Sequence, residues 1–373
     1  MAFLANDWLQ RKLVNPLAFH LSAARKSGVD SDTFSVAASL KDPKHILIIP
    51  DSRSGGLFIG ASQFWAIRHR YPDTKICLLV NAQKGYIAKE IPFVDHVIEY
   101  QDFLLPVSLK LRDVVKSLQD QHFDIAFCFS NEENFCPAYL CYKSGAHLRV
   151  GFQRNDFPFF NIRIVPHKEA CYELGRFSLL LRTLGIPQVK ERISWSVSKE
   201  GAEKLQNRFL VGKKEGEHFV GLDVGAKDGQ WLTDKQIQGI AEGLVSRENT
   251  RALIFFNFEE RKTANQIKET LGQKALLFQT DDLPKIVALL EACDLLVAGN
   301  TDLFHLAVAM DLPATAIFDS QDVVRWIPPS RPRINVLETN TTKSWSQQQF
   351  AEEARRIHQE IVETEDVPDS QPK

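Results

Sequence analysis

Apolar residues along this chain gather into short unbroken runs separated by longer stretches with helical spacing. His45-Ile46-Leu47-Ile48-Ile49-Pro50 is too short for a helix and rich in β-branched side chains, so it predicts a buried strand. A Gly-rich turn follows, then a helical pattern through Phe64, Trp65 and Ile67 that stops at Tyr71-Pro72. Further strands are predicted at Ile76 to Val80, His96 to Tyr100 and Asp124 to Phe129, with a helix over Val107 to Leu118 between two of them. Arg163-Ile164-Val165-Pro166 leads to a helix from about Glu169 to Leu184, after which Gly185-Ile186-Pro187 and a polar stretch, Lys199 to Gly216, break the pattern.

The alternation then starts again. Runs at Phe219 to Val224, Ala252 to Phe258, Leu276 to Gln279, Asp294 to Ala298, Ala314 to Phe318 and Ile334 to Leu337 predict a second set of strands. Strands that alternate with helices give parallel, doubly wound sheets, so two Rossmann-like α/β domains are expected, facing one another across a cleft. The expected boundaries are an N-terminal helical extension over 1–43, a first domain over 44–198, a second over 199–340 and a C-terminal helix with a tail over 341–373. Thr233 with Gln236 and Ser346 with Gln349 read as capping boxes. Phe350, Ala354, Ile357 and Ile361 share one helical face, so the last helix should pack against a domain, and the polar run from Glu363 onward reads as disordered.

Composition narrows the classes. With 373 residues, 44% hydrophobic, two cores are expected. Lys+Arg total 45 against 47 Asp+Glu, which leaves no electrostatic footprint for nucleic acid. Cysteines at 77, 128, 136, 141, 171 and 293 form no secreted disulfide framework, and Cys136, Cys141 and His147 match no common zinc spacing, so a reducing cytoplasm and core packing are expected. No apolar run reaches the roughly 20 residues of a transmembrane helix, and no signal peptide is legible. Phe3, Leu4, Trp8, Leu9, Leu13, Leu17, Phe19 and Leu21 lie among basic residues, which fits either docking on the protein's own surface or a peripheral contact with the inner membrane surface.

Chemistry concentrates at Asn300-Thr301-Asp302-Leu303-Phe304-His305, where a buried strand runs through a polar turn straight into an apolar helix. The first turn of such a helix has unpartnered N–H groups and a partial positive charge, a ready seat for a diphosphate. Thr301 is a candidate N-cap and His305 stands one turn on; the plainer alternative is a cap and a core-edge histidine. Neither predicted sheet carries G-x-G-x-x-G or a Walker A loop, which excludes ordinary dinucleotide enzymes and P-loop kinases.

Four segments together resemble the ADP-heptose:lipopolysaccharide heptosyltransferase family over roughly residues 45 to 340. They are Ile46 to Pro50 with Arg53-Ser54-Gly55-Gly56 and Arg70-Tyr71-Pro72; Ser130-Asn131 through Ser144-Gly145-Ala146 to Arg149-Val150-Gly151-Phe152; Gly225-Ala226-Lys227 with Trp231; and the stretch from Asn300 to Ala309. The resemblance implies the GT-B fold and an inverting transfer that uses no metal and no cofactor. A nucleotide diphosphate sugar would be the donor and a glycan or lipid-linked molecule the acceptor. It implies donor contacts at Gly225, Ala226, Lys227, Glu259 (or Glu260, as the ribose-binding acid), Asn300, Thr301, Asp302 and His305, and acceptor contacts at Arg53, Ser54, Gly55, Gly56 and Asn131.

Three motifs depart from that family's pattern. Its general base is an Asp where this chain has Gly56, a basic donor-loop position is Gly229, and its Asp-Thr-Gly is here Asn300-Thr301-Asp302. A carboxylate at 302 would oppose a diphosphate: two unit charges about 4 Å apart repel by about 4 kcal/mol at an effective dielectric near 20. Two readings are open. In one, Asp51, five residues ahead of Gly56 at the carboxyl end of the first strand, takes over as base; its plainer role is a turn former after Pro50. In the other, the chain is an inactive pseudoenzyme that binds glycans or nucleotides.

Overall fold

Strand β1 (His45–Ile49) is built almost wholly of Ile and Leu and is buried on both faces, as a central strand of a parallel sheet must be. The computed structural model describes residues 35–53, 55–102, 109–130, 135–153, 159–165, 172–187, 195, 198–212, 214–227, 232–330, 333–342 and 344–365. The amphipathic N-terminal segment, Ser54, Cys171, Gly229 and Asn131 lie outside them.

β1 pairs in parallel with β2 (Lys75–Asn81) on one side and β4 (Ile125–Cys128) on the other, with Leu47 opposite Cys77 and Ala126. β3 (His96–Tyr100), β5 (Leu148–Phe152) and β6 (Ile162–Ile164) complete a six-stranded sheet ordered β3-β2-β1-β4-β5-β6. The second half repeats this plan. β7 (His218–Asp223), β8 (Thr250–Phe256), β9 (Ala275–Gln279), β10 (Leu295–Ala298), β11 (Ala314–Phe318) and β12 (Ile334–Glu338) are ordered β12-β11-β10-β7-β8-β9. Read from the β9 edge, that is the same order: third, second, first, fourth, fifth, sixth. Each sheet therefore reverses direction between its first and fourth strands, where open α/β sheets place ligands.

The chain divides into two compact units at Arg192/Ile193, six residues ahead of the expected boundary. β5 and β6 lie where the apolar pattern predicts no strand. β5 holds the Arg-Val-Gly-Phe segment, in which a Cβ on Gly151 would fall 2.6 Å from the Phe160 ring. That glycine hides the strand pattern in the sequence, yet it is what lets Phe160 cover the sheet. Arg149 is structural: its guanidinium donates to the Phe159 carbonyl (3.0 Å) and the Ala146 carbonyl (2.6 Å). Cys136 and Cys141 pack in the core of the first unit, where burial raises the Cys141 thiol well above its ordinary range.

Seven helices shape the two sites and the second core: α1 (Gly56–Arg70), α2 (Glu173–Thr183), α3 (Asp234–Leu244), α4 (Arg261–Leu271), α5 (Asp302–Ala309), α6 (Ser320–Trp326) and α7 (Gln347–Glu365). Both expected capping boxes form: Thr233 and Gln236 start α3, and Ser346 and Gln349 bond reciprocally at the start of α7. Phe350, Ala354 and Ile357 of α7 close the core of the second unit together with Ile237, Ile240, Ala241 and Leu244. Burial of each large apolar side chain of this kind contributes about 1.5–3 kcal/mol. Gly239 and Gly243 permit the contact, since a Cβ on either would strike the backbone carbonyl oxygen of Gln347 or Ala351. α7 continues to Glu365, two residues beyond the point where disorder was expected to begin.

Candidate functional site

In the second unit the switch point falls between the carboxyl ends of β7 and β10. β7 ends in Asp223, and β10 runs through Gly299-Asn300-Thr301 into α5. Thr301 caps α5, its Oγ1 accepting from the Phe304 N–H at 3.3 Å, and the same hydroxyl donates to Asp223 Oδ2 at 2.5 Å. Asp223 Oδ1 accepts the Gly225 N–H at 2.9 Å. One carboxylate thus ties the two strand ends together. A Cβ at 225 would come 3.1 Å from Asp223 Oδ1, close enough that the carboxylate would have to give way slightly.

Burial pushes Asp223 up to about 6, against the two hydrogen bonds that favour its charged form; Glu260 and Asp302 push the same way as burial. This end of the sheet is therefore a shared field of three carboxyl groups, one of which takes up a proton just below neutral pH. His305 is buried and its Nε2 lies 2.9 Å from Asn300 Oδ1. An amide oxygen only accepts, so Nε2 carries the proton in this contact. Asn300 donates in turn to Asp322 Oδ2 of α6 at 3.0 Å, while Phe304 and Trp326 stand edge-on to the imidazole. His305 thus helps to orient the turn.

Glu259 is exposed at the end of β8, where its N–H bonds to Asn257 Oδ1 at 2.8 Å, and Glu260 accepts from the Asn257 N–H at 3.2 Å. Ala226 and Lys227 follow Gly225 in a single helical turn, Val224–Lys227.

The first unit has the matching arrangement. Asp51 stands two residues past β1 and is 2% exposed. Arg53 grips both of its oxygens, Nε to Oδ1 at 2.8 Å and Nη2 to Oδ2 at 2.6 Å, and the Arg53 N–H adds a bond to Oδ1 at 3.0 Å. Arg53 Nη2 also reaches Glu173 Oε1 at 3.2 Å, and Arg176 Nη1 reaches the same oxygen at 3.3 Å. Two carboxylates and two guanidiniums thus join the β1 loop to the start of α2. Gly55, with φ 76°, is the left-handed N-cap of α1. Gly56 opens the helix against the Asp51 peptide, and a Cβ there would strike the Asp51 carbonyl oxygen and lie 2.9 Å from its carbon. At the carboxyl ends of β2 and β3, a cavity of about 490 Å³ is lined by Glu99, Gln101, Asp102 and Lys110 among others.

The structure therefore assembles Gly225, Asn300, Thr301, Asp302 and His305 at one sheet end, and Asp51, Arg53, Gly55 and Gly56 at another. Asp223, Asp322, Glu173 and Arg176 join these groups through contacts that the sequence pattern does not single out. Asp223 could have been found, because it ends its strand much as Asp51 follows β1 by two residues. The other three join partners through contacts that leave no trace in the spacing of apolar positions; Asn300 and Asp322 are 22 residues apart, and Arg53 and Glu173 are 120 apart.

A family model described as glycosyltransferase family 9 (heptosyltransferase) matches residues 111–355, and a family of unknown function (DUF6913) matches 30–173. A Haemophilus influenzae protein assigned as a glycosyltransferase is 23% identical over 301 residues, 76% of this chain and 85% of its own. E. coli ADP-heptose LPS heptosyltransferase II superposes with a TM-score of 0.67 at 20% identity, over 86% of this chain and 99% of its own. A glycosyl transferase family 9 structure from Veillonella parvula gives 0.69 at 14% identity, over 87% and 98%. E. coli heptosyltransferase WaaC, solved with ADP-2-deoxy-2-fluoro heptose, gives 0.61 at 15%, over 86% and 99%. The fold is thus GT-B, two Rossmann-like units with the strand order derived above. With the family match running from the first unit through most of the second, the chain belongs to glycosyltransferase family 9, the heptosyltransferase family.

Proposed function

We propose that the protein transfers a sugar from a nucleotide diphosphate sugar to a hydroxyl of a glycan or lipid-linked acceptor, with inversion and without a metal. The work would be done in the cytoplasm, in peripheral contact with the inner membrane surface. The observation that carries this reading is the Asp223–Thr301–Gly225 lock, which holds the amino end of α5 and the Gly225 loop at the switch point of the second sheet. Solved relatives hold ADP or an ADP-heptose analogue. In this reading the backbone N–H groups of α5 and Lys227 take up charge as the bond between the anomeric carbon and the diphosphate breaks.

Asp51 is the candidate base. It takes the acceptor proton as the acceptor oxygen attacks the anomeric carbon and the diphosphate leaves with the bonding electrons. Its two oxygens are held by Arg53, so the guanidinium must first trade Asp51 for an anionic group. A phosphorylated or acidic acceptor sugar supplies one in the planar geometry that Arg prefers. Asp51→Asn then lowers turnover by about 10²–10⁴ and leaves donor affinity unchanged; an unaltered rate removes Asp51 from the reaction.

One observation favours a second reading, a binding protein without transfer chemistry. The position of the family's acid, Gly56, abuts the Asp51 backbone and has no room for a side chain. Release of nucleoside diphosphate from a panel of activated sugars, with and without glycolipid acceptor, separates the two. Binding of nucleotide or glycan without turnover on any combination selects the second.

A further inference from the structure

Asp322 sits half-buried in the first turn of α6, where Asp319 fixes its backbone by accepting both the Gln321 N–H (2.9 Å) and the Asp322 N–H (2.8 Å). Its side chain accepts from Asn300 Nδ2 at 3.0 Å and from the Trp326 indole N–H. Burial raises this carboxyl above its ordinary range, while those two bonds favour its charged form. One acid on α6 therefore holds two neighbours of His305. Asn300 places its Oδ1 2.9 Å from the imidazole Nε2, and the Trp326 ring stands edge-on, 5.6 Å away between centroids.

The order of donors along this chain of contacts is forced. A carboxylate has no proton to give, so the Asn300 amide must turn its NH2 to Asp322 and its oxygen to His305. An amide flipped the other way would set its oxygen against a carboxylate oxygen, a repulsive contact in a partly buried place. His305 must then hold its proton on Nε2, which makes Nδ1 the acceptor nitrogen of the neutral ring. The tautomer of a buried histidine on α5 is thus set from α6.

The same contacts brace the turn before α5. Asn300 is gripped at both ends of its amide, and Thr301 beside it is tied to Asp223 at 2.5 Å. The backbone N–H groups that open α5 are therefore held in place from α6 and β7 as well as by the helix itself.

We propose that Asp322 is a positioning residue for the diphosphate seat, acting through Asn300 to fix the turn before α5 and the tautomer of His305. The assignment rests on the donor reading above. Charge alone would have the opposite effect: loss of an acid near the seat tightens anion binding, whereas loss of a brace weakens it.

Calorimetric titration of the full chain with inorganic pyrophosphate and with ADP tests this in wild type, Asp322→Leu, Asp322→Asn and Asn300→Leu. Beside it, proton–nitrogen correlation spectra of protein labelled at histidine read the tautomer at about pH 8, where an ordinary imidazole is neutral. His305→Gln identifies the His305 signals, and thermal melts verify that each variant folds. The expected result is a single Nε2–H tautomer in wild type and Asp322→Asn, and a mixture in Asp322→Leu and Asn300→Leu. Both leucine variants should bind pyrophosphate and ADP about three- to ten-fold more weakly, as loss of one buried hydrogen bond implies, and the double variant no more weakly than Asn300→Leu. Asp322→Asn keeps an acceptor oxygen and should stay within about two-fold of wild type. Unchanged or tighter binding in Asp322→Leu overturns the positioning role and leaves the donor reading standing. An Nε2–H tautomer that persists in Asn300→Leu overturns it too, whether or not Asp322→Leu folds. A wild type that binds neither pyrophosphate nor ADP sinks the donor reading and the positioning role with it.

Discussion

Restoring the family's acid at residue 56 should damage the protein and not activate it. A Cβ there would strike the carbonyl oxygen of Asp51 and lie 2.9 Å from the carbonyl carbon and 3.0 Å from the Asp51 Cβ. The obstacle is backbone, held by the Gly56 N–H to the Arg53 carbonyl (3.1 Å) and by three Arg53 bonds to the Asp51 carboxylate. Relief needs a shift on the order of 1 Å in a loop whose ion pairs would have to move with it. Overpacking of this kind costs about 1–3 kcal/mol, against a helix-propensity gain of at most about 1 kcal/mol for Gly→Ala. The net is a loss of up to about 2–3 kcal/mol, and each kcal/mol lowers the melting temperature of a unit this size by roughly 2–4 °C. Gly56→Asp loses more, because its carboxylate arrives beside that of Asp51. Gly175→Ala in α2 is the control: nothing lies within 4 Å of its would-be Cβ, so stability should hold or rise slightly. Paired thermal and urea melts measure all three. If Gly56→Ala melts with wild type, or Gly56→Asp gains transfer activity, the loop accepts the family geometry and the steric argument is wrong.

Asp302→Gly removes a carboxylate from the first turn of α5 and should tighten nucleoside diphosphate binding by up to about ten-fold; unaltered affinity in a titration would show that Asp302 does not face the phosphates. Diphosphate binding should also take up a proton, because added negative charge favours the protonated form of Asp223, already pushed up to about 6. Affinity then rises as pH falls from about 7 toward 6, and calorimetry in buffers of different ionisation enthalpy reads the uptake; a flat profile rejects it. His358 on α7 is buried, and burial with Arg247 nearby lowers it from 6.5 to about 4. The unfolded chain binds that proton first, so stability is intact above about pH 6.5 and is lost as pH falls toward about 4, by at most about 3 kcal/mol before screening by water. Asp223 works in the opposite sense over the same window, since its folded form gains the proton first. Replacement His358→Phe should therefore shrink the acid-side loss of melting temperature, and an unchanged slope would place the sensitivity elsewhere.

Most strands were legible because a parallel sheet buries both faces and writes itself as unbroken Ile, Leu and Val runs, as at Ile46 to Ile49. β5 escaped because Gly151 and the buried Arg149 look like loop chemistry until Phe160 and the Ala146 carbonyl are seen beside them. Thr301 was legible as a cap because an N-cap is a local event, decided within three residues. Its second bond, to Asp223, spans 78 residues and depends on β7 lying next to β10. For the same reason Asp51 and its neighbour Arg53 lie within reach of a local reading, whereas the link from Arg53 to Glu173 and Arg176 depends on α2 returning to the β1 loop.

The glycine pair on α3 has a consequence for how this chain is made. Residues 239 and 243 leave a groove that the helix beginning at Gln347 fills, so this flank of α3 stays open until the ribosome has passed that helix. A stop codon shortly after residue 340 would spare all twelve strands of the described residues and the Asp223–Thr301 contact, yet release a product with an open hydrophobic flank. Such a product is a substrate for aggregation or proteolysis, and any attempt to produce the second unit alone must carry its sequence through Glu365.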